Sequence, residues 1–543
     1  MIEILRQSII SALAELDVQT DDVQLDRPKQ AQHGHLATNA PLVFARQLKK
    51  SPLEIADALK ERIQLDPSVV AGIESVPPGF LNFTLADDFL RKNLVAILRA
   101  GENYGRSESG RNKRALVEFV SANPTGPLTV GHGRGAILGD IVSNILSWNS
   151  YDVEREYYYN DAGRQMRLLG ESVRARYLEA LGSKPAFPED GYEGEYIRDI
   201  ADNLKVEQGD ALKDQTDPRP FTEAAEKAIF DDINRTLESL GITFDQYFNE
   251  RSLYESGSLE KTIAALDEKG LVFKKDGATW FKATALGRDE DRVLIKSTGE
   301  PTYRLPDIAY HKDKVERGHD LIVDIFGADH QDTYPDVLAG VQGLGYNTDH
   351  IKVLIHQFVT LTRGGQQVKM STRKATFVTL DELISDVGRD VVRYFFIMRG
   401  MGTHLQFDLD LAKDTSDENP VYYLQYAHAR MVNIRKRAEA FSYAIEPDSA
   451  PLELLGLPEE RTVMLLLWWF QEAVRQAYQT LEPQTVATYL QELATAYHRL
   501  YTVARVVTED APLSTARLVL TEACRQTMAN GLAILGISAP ERM

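Results

Sequence analysis

Residues 115–148 read ALVEFVSANPTGPLTVGHGRGAILGDIVSNILSW, and their pattern decides the fold. Leu116, Val117, Phe119 and Val120 form a short apolar run of buried-strand type. Pro124, Gly126 and Pro127 end it. Beyond Gly131, residues Ile137, Ile141, Ile145 and Trp148 recur at helical spacing, flanked by Leu138 and Val142. The spacing predicts a strand, a turn and a helix over 131–147. Between strand and helix stands Thr129-Val130-Gly131-His132. A helix start offers free N–H groups and a positive dipole end, which suit a phosphate. Glycine there lets the backbone approach a ligand closely, and His132 can donate to a phosphate oxygen or pack on a nucleotide. On this stretch alone, a plain βα turn with a solvated histidine cap remains the alternative.

A second stretch narrows the choice. Lys369-Met370-Ser371-Thr372-Arg373-Lys374 follows an apolar run from Val353 to Leu361 and the turn Gly364-Gly365, and it precedes the capping box Thr379-Leu-Asp-Glu382. A loop carrying several cations and a serine suits a leaving pyrophosphate, whose charge grows in the transition state. An exposed basic turn would read the same way in isolation.

Together, TVGH and KMSTR resemble the paired HIGH and KMSKS signatures of class I aminoacyl-tRNA synthetases. The wider text is similar to arginyl-tRNA synthetases: EFVSANPTGPLTVGH, YYYNDAG at 157–163, YRLPDIAYH at 303–311, GADHQD at 327–332, KMSTRKATFVTLDEL at 369–383, YYLQYAHAR at 422–430 and GISAPERM at 536–543. These landmarks follow the family's order from the first quarter to the last residue.

The resemblance implies an α/β fold: a doubly wound, parallel-sheet, Rossmann-like catalytic domain over 109–405 with an insertion at about 171–250, an N-terminal α+β domain over 1–108 contacting the tRNA elbow, and an all-α helical anticodon-binding bundle over 406–543. It implies ATP-dependent attachment of L-arginine to tRNA through arginyl-adenylate, releasing pyrophosphate and AMP. His132, Lys369 and Arg373 take the catalytic positions. Thr129, Gly131, His132, Gly327, Asp329, Lys369, Met370 and Ser371 are the expected ATP contacts. A guanidinium, a planar fork of donors, is best matched by carboxylates. Glu118 and Asp307 stand at the family positions for that role, with Tyr303 to stack on or bond it, Asn123 for the amino-acid end, and His330 beside it. Asn39, Gln425, Tyr426 and Arg430 are the expected tRNA contacts. Mg²⁺ is expected to travel with ATP, with no structural metal.

Two departures stand out. The family's first motif usually opens with histidine, where this chain has Thr129, a neutral hydrogen-bonding group. Arg373 replaces the loop's last lysine but keeps its charge. Three other readings remain open at this point. A class I synthetase for another amino acid would need a pocket without the Glu118/Asp307 pair. A small nucleotidylyltransferase would lack the helical C-terminal bundle. A non-catalytic tRNA-binding paralogue would account for Thr129.

Composition is compatible with this. A chain of 543 residues, 43% hydrophobic, can bury several cores. The single cysteine, Cys524, excludes an intrachain disulfide framework or a multi-cysteine zinc site. No apolar run reaches membrane-spanning length, and MIEILRQSIISALAELD is broken by Glu3, Arg6 and Glu15, so a cytoplasmic protein without membrane association is expected, as a monomer. The net charge of −19, from 61 Lys+Arg against 80 Asp+Glu, is unlike a simple nucleic-acid binder. RNA contacts must then rest on local basic clusters: 111–114, Lys274-Lys275, 369–374 and 430–437.

Further local expectations complete the reading. Ile2, Leu5, Ile9, Leu13 and Leu16 should face the core from an opening helix, and 77–90 should hold a strand closing the N-terminal domain. Strand-like runs at 153–159, 279–281, 293–295 and 321–326 are expected in the catalytic domain, with ligand residues at strand ends near the switch point. Val486, Tyr489, Leu490, Leu493, Tyr497 and Leu500 form a helical stripe, and MLLLWWF at 464–470 reads as core.

Overall fold

The computed structural model describes residues 2–28, 33–161, 163–368 and 378–543. Lys369, Met370, Ser371, Thr372 and Arg373 lie outside the described residues.

The N-terminal unit opens with α1 (Ile2–Ala14), which buries Leu5, Ile9 and Leu13 as the spacing requires. Strands β1 (Leu36–Thr38), β2 (Val70–Val76) and β3 (Phe80–Leu85) form an antiparallel sheet in the order β1-β3-β2. The strand expected within 77–90 is therefore the central one, with Leu81, Phe83 and Leu85 buried. Helices α2 (Ala40–Leu48) and α3 (Pro52–Arg62) cover it, the latter started by a Ser51–Glu54 capping box. Helix α4 (Asp87–Ala100) leads away.

Five parallel strands form the centre of the molecule: β4 (Arg114–Glu118), β5 (Asp152–Tyr159), β6 (Gln246–Asn249), and, much later in the chain, β10 (Leu321–Gly327) and β11 (Ile351–His356). Their spatial order is β11-β10-β4-β5-β6. The chain steps outward from β4, then returns to the other side of it, so the switch point lies between β4 and β10. Helix α5 (Val130–Trp148) connects β4 to β5 and is buried along most of its length. Gly139 is required there, because a Cβ would stand 2.1 Å from Cγ of Phe119.

Helices α6 (Gly163–Ala180), α7 (Glu195–Gln208) and α8 (Arg219–Ser239) make up the helical insertion. Two features differ from the sequence expectation. The parallel sheet resumes with β6 at Gln246, inside the last residues assigned to the insertion at 171–250. The runs near 279–281 and 293–295 do not join the central sheet. After α9 (Arg251–Glu255) and α10 (Ser258–Glu268), they form β8 (Ala278–Phe281) and β9 (Arg292–Ile295), paired with β7 (Val272–Lys275) in a separate antiparallel sheet. Short connections of two to ten residues favour hairpins over parallel crossovers. Helix α11 (Arg304–Glu316) precedes β10 and packs on α12 (Tyr334–Gly343).

A third small sheet pairs β12 (Val359–Arg363) with β13 (Gln366–Gln367) and with β14 (Leu405–Asp408). Between β13 and β14 lie α13 (Leu380–Val387) and α14 (Arg389–Ile397), and the capping box at Thr379–Glu382 starts α13.

After α15 (Leu409–Lys413), four long helices form the C-terminal bundle: α16 (Pro420–Ala440), α17 (Pro458–Thr480), α18 (Gln484–Val503) and α19 (Ala511–Ile534). The 486–500 stripe is buried, and so are Met464, Leu467, Trp468, Trp469 and Phe470. Helix α4 packs on α17 and α19. Phe89 meets Trp468 edge-on at 6.1 Å, Tyr104 stacks on Phe470 at 5.9 Å, and Asn530 donates to the Gly101 and Tyr104 carbonyls. Residues 87–104, grouped by sequence with the N-terminal domain, thus contribute to the bundle's core, because Leu90, Leu94 and Ile97 bury their apolar face there. Among the described residues no helix is long and apolar enough to cross a membrane.

Candidate active site

The carboxyl ends of β4 and β10 and the start of α5 lie at the switch point, where sheets of this kind bind ligands. Immediately after β4, Val120 and Ser121 adopt positive φ, +68° and +44°. A β-branched residue in that region is strained and needs support from its surroundings. Ser121 provides it: its hydroxyl donates to Glu118 Oε1 at 2.7 Å and accepts from the Tyr158 amide at 3.2 Å.

At the start of α5, the Thr129 amide donates to His132 Nδ1 at 3.1 Å, with Thr129 Oγ1 at 3.3 Å from the same nitrogen. An acceptor role for Nδ1 puts the imidazole proton on Nε2. Burial holds His132 below the ordinary imidazole range, with the Asp329 carboxylate pulling the other way. His132 is therefore a neutral donor. Gly131 is exposed at the helix start, free to admit a ligand to the backbone. Asp329 follows Gly327 at the end of β10 and is felt electrostatically by both His132 and His356. Burial lowers His356 to about 4, and a Cβ on Gly135 would stand 3.0 Å from its Nε2, so α5 runs directly against this ring. His330 is half exposed and lies against Phe326, ring centres 5.2 Å apart.

Residues Thr379 and Leu380 meet this helix start. Thr379 and Thr129 form an isolated antiparallel bridge, and the Leu380 amide donates to the Leu128 carbonyl at 2.8 Å. The Val368 amide donates to the Leu361 carbonyl at 2.9 Å.

The candidate arginine pocket lies where α11 crosses the sheet. Asp307, His311 and Lys314 share one face of that helix. The Asp307 carboxylate has no hydrogen-bond or ion-pair partner among the described residues. Burial pushes it up to about 7; His311 and Lys314 oppose the shift, while the Glu250 and Glu118 carboxylates add to it. Glu118 is buried at the end of β4 and engages Lys314, whose Nζ also donates to Asp324 Oδ1 at 2.6 Å. His311 faces Asp324 Oδ2 at 3.1 Å and the Asp307 carbonyl at 2.8 Å. Both ring nitrogens meet oxygen acceptors, which fits an imidazolium. Burial and Lys314 pull its pKa down, but Asp324 holds it above the ordinary value. Tyr158 donates to Glu250 Oε2 at 2.6 Å and closes the acidic side.

Glu118 and Asp307 are thus brought together with Glu250 at one place. Tyr303 caps α11 at 81% exposure and makes no side-chain bond among the described residues. Asn123 ties the turn after β4 to the end of β5, accepting from the Asn160 amide at 3.1 Å and donating to Gln165 at 3.3 Å.

The expected tRNA contacts fall into three kinds. Asn39 starts α2, half-buried, without a side-chain cap bond. Gln425 is engaged inside the protein, donating to Asp390 at 2.7 Å and to Ser538. Tyr426 and Arg430 belong to an aromatic–cationic cluster: the guanidinium lies 4.5 Å from the Tyr426 ring centre and 4.6 Å from that of Tyr501, and it bonds His498 at 2.8 Å.

Sequence reading missed Lys314, His311, Glu250, Tyr158 and His356. Only the spacing of His311 and Lys314 from Asp307, four and seven residues along one helix, pointed toward them.

Known proteins similar to this chain show its family. The model described as tRNA synthetases class I (R), catalytic domain, matches residues 93–393; arginyl tRNA synthetase N terminal domain matches 3–85; DALR anticodon binding domain matches 424–543. An arginine–tRNA ligase of Desulfotalea psychrophila is 52% identical over 96% of this chain and 94% of its own. One of Salinibacter ruber is 47% identical over 100% of both chains. The Thermus thermophilus arginyl-tRNA synthetase structure, 24% identical and covering 100% of both chains, shares the fold with a TM-score of 0.80. With all three domain models matching in order and relatives similar along nearly the full length, the chain belongs to the arginyl-tRNA synthetase family.

Proposed function

We propose that this enzyme attaches L-arginine to its tRNA in two steps. In the first, a carboxylate oxygen of arginine attacks the α-phosphorus of ATP. The bond to the β-phosphate bridging oxygen breaks, and pyrophosphate leaves arginyl-adenylate. In the second, the 2′-hydroxyl of the terminal adenosine of tRNA attacks the arginyl carbonyl and AMP departs. The observation that carries this reading is the end-to-end match of N-terminal, catalytic and anticodon-binding models along one chain.

The first step needs positioning and charge neutralisation more than acid–base work. In this reading, the α5 amides at Gly131 and the Nε2–H of His132 hold phosphate oxygens, with Thr129 orienting the ring. Gly327 and Asp329 meet the nucleoside, and Lys369, Met370, Ser371 and Arg373 close on the pyrophosphate. Mg²⁺ would ride on the ATP phosphates and contribute further neutralisation. Asp307 and Glu118 receive the guanidinium, Tyr303 covers it, and Asn123 and His330 hold the amino-acid end. Asn39, Tyr426 and Arg430 meet the tRNA, with Gln425 supporting α16 from behind. The protein acts as a cytoplasmic monomer.

Charging of total tRNA with each radiolabelled amino acid tests the reading. Arginine alone should become linked to tRNA, as a base-labile ester. Charging of another amino acid would assign a different specificity, and tRNA binding without charging would mark a catalytically inert protein.

A further inference from the structure

We propose that Lys314 is a positioning residue for arginine recognition: it orients Glu118 and supplies its counter-charge from behind, while no described side chain pairs with the Asp307 carboxylate. The inference rests on the arginine-pocket reading above.

The two carboxylates are treated differently by the fold. Glu118 is fastened on both oxygens, Oε1 by the Ser121 hydroxyl at 2.7 Å and Oε2 by Lys314. A carboxylate offers about four lone-pair sites, so two remain for a bidentate guanidinium, now in fixed directions. Lys314 itself is 0% exposed and cannot leave: Asp324 Oδ1 holds it at 2.6 Å, and the Tyr310 ring lies 4.3 Å from its Nζ. Tyr310 is anchored in turn by donating to Glu156 Oε1 at 2.5 Å, which also receives Arg317. The cation therefore sits on a rigid base beneath the pocket and does not compete for its mouth. Asp307, seven residues earlier on α11, has no ion-pair partner among the described residues; His311 and Lys314 act on it only at longer range. A ligand that brings one planar cation would complete the set, whereas a neutral side chain would leave Asp307 unmatched.

Steady-state kinetics with arginine and ATP varied separately test this. Lys314→Met removes the cation at similar length, and Lys314→Met/Asp324→Asn removes it together with the carboxylate behind it, so that Asp324 is not left as an orphaned charge. Both should raise the arginine KM by about tenfold or more, the usual scale for a charge-assisted contact, with the ATP KM within about twofold of wild type. The double variant should regain thermal stability without regaining arginine affinity. Lys314→Gln, which keeps an N–H donor of shorter reach, should fall between them and wild type. A double variant with wild-type arginine KM, or parallel loss in both KM values, would overturn the proposal and leave Lys314 structural. Glu118→Gln separates the two levels. If it leaves the arginine KM unchanged, the pocket reading itself fails; if it raises KM while the double variant does not, only the role of Lys314 fails.

Discussion

Thr129 and Thr379 pair across an antiparallel bridge, so the residue that opens α5 is clasped to the residue that opens α13. Two helix starts 250 positions apart in the chain are thereby joined at one point. The same contact region continues through Gly133, where a Cβ would stand 2.6 Å from Leu380 Cδ1 and 3.3 Å from Phe396. Gly133→Ala should push α13 away from α5, costing about 1–3 kcal/mol as overpacking does. Thermal unfolding and arginine-dependent pyrophosphate exchange should both show the loss, and wild-type values in both would mean that the α5–α13 contact is not needed.

Thr129 stands where the family usually has histidine, and its contacts define what it contributes. Its amide, which any residue supplies, makes the 3.1 Å bond to His132; its hydroxyl adds only the 3.3 Å contact. Thr129→Val should then cost about 0.5–1.5 kcal/mol, at most about tenfold in activation rate. His132→Ala removes the Nε2 donor and should cost more. Thr129→His should bring a small gain. If Thr129→Val proved as damaging as His132→Ala, the backbone would not be the principal holder of this histidine.

Asp307 gives a pH signature. Its carboxyl sits at about 7 in the free protein against an ordinary value of 3.8. The folded state therefore holds this proton more tightly than the unfolded chain, and folding stability falls as pH rises between these values. A guanidinium binds only the ionised form, so arginine KM should fall as pH rises through about 7, and the thermal stabilisation by arginine should grow. Asp307→Asn should weaken arginine binding by about 1.5–3 kcal/mol and flatten the pH dependence. Unchanged arginine and ATP KM values would remove Asp307 from the site.

The buried ion pair between Arg393 and Asp140 ties α14 to α5, and Arg393 also donates to the Leu535 carbonyl at 3.0 Å and the Leu240 carbonyl at 2.9 Å. Arg393→Met leaves Asp140 without its closest cation and two carbonyls without this donor. The expected loss is about 3–5 kcal/mol, read as a lower unfolding midpoint; a midpoint equal to wild type would show that the pair is dispensable.

Lys369 is expected to act on the leaving pyrophosphate. Lys369→Ala should lower the activation rate more than it weakens ATP binding, because the contact strengthens as charge develops. Equal losses in both would make Lys369 a plain binding residue.

The parts legible in the sequence are those where local pattern and function coincide. The β4–α5 unit declared itself through one apolar run, a Pro/Gly turn and a helical stripe, and Glu118 and His132 lie within it. Asp307 was visible only through the text surrounding it. Lys314 was not, since a lysine on a helix ordinarily snorkels to solvent, and only the tertiary approach of Asp324 and Glu118 turns it inward. The strands at 278–281 and 292–295 carry apolar runs much like that of β10, and nothing local says which sheet they join. Gln425 sits among basic and aromatic residues that suggest RNA, yet Asp390 and Ser538, distant in sequence, claim its amide.

ATP–pyrophosphate exchange by the purified protein, with each amino acid in turn and with tRNA present or absent, is the decisive assay of arginine activation. Exchange should depend on arginine, be stimulated by tRNA, and lose arginine affinity in Asp307→Asn. Exchange driven by another amino acid, or none with arginine and tRNA both present, would contradict the proposed arginine activation.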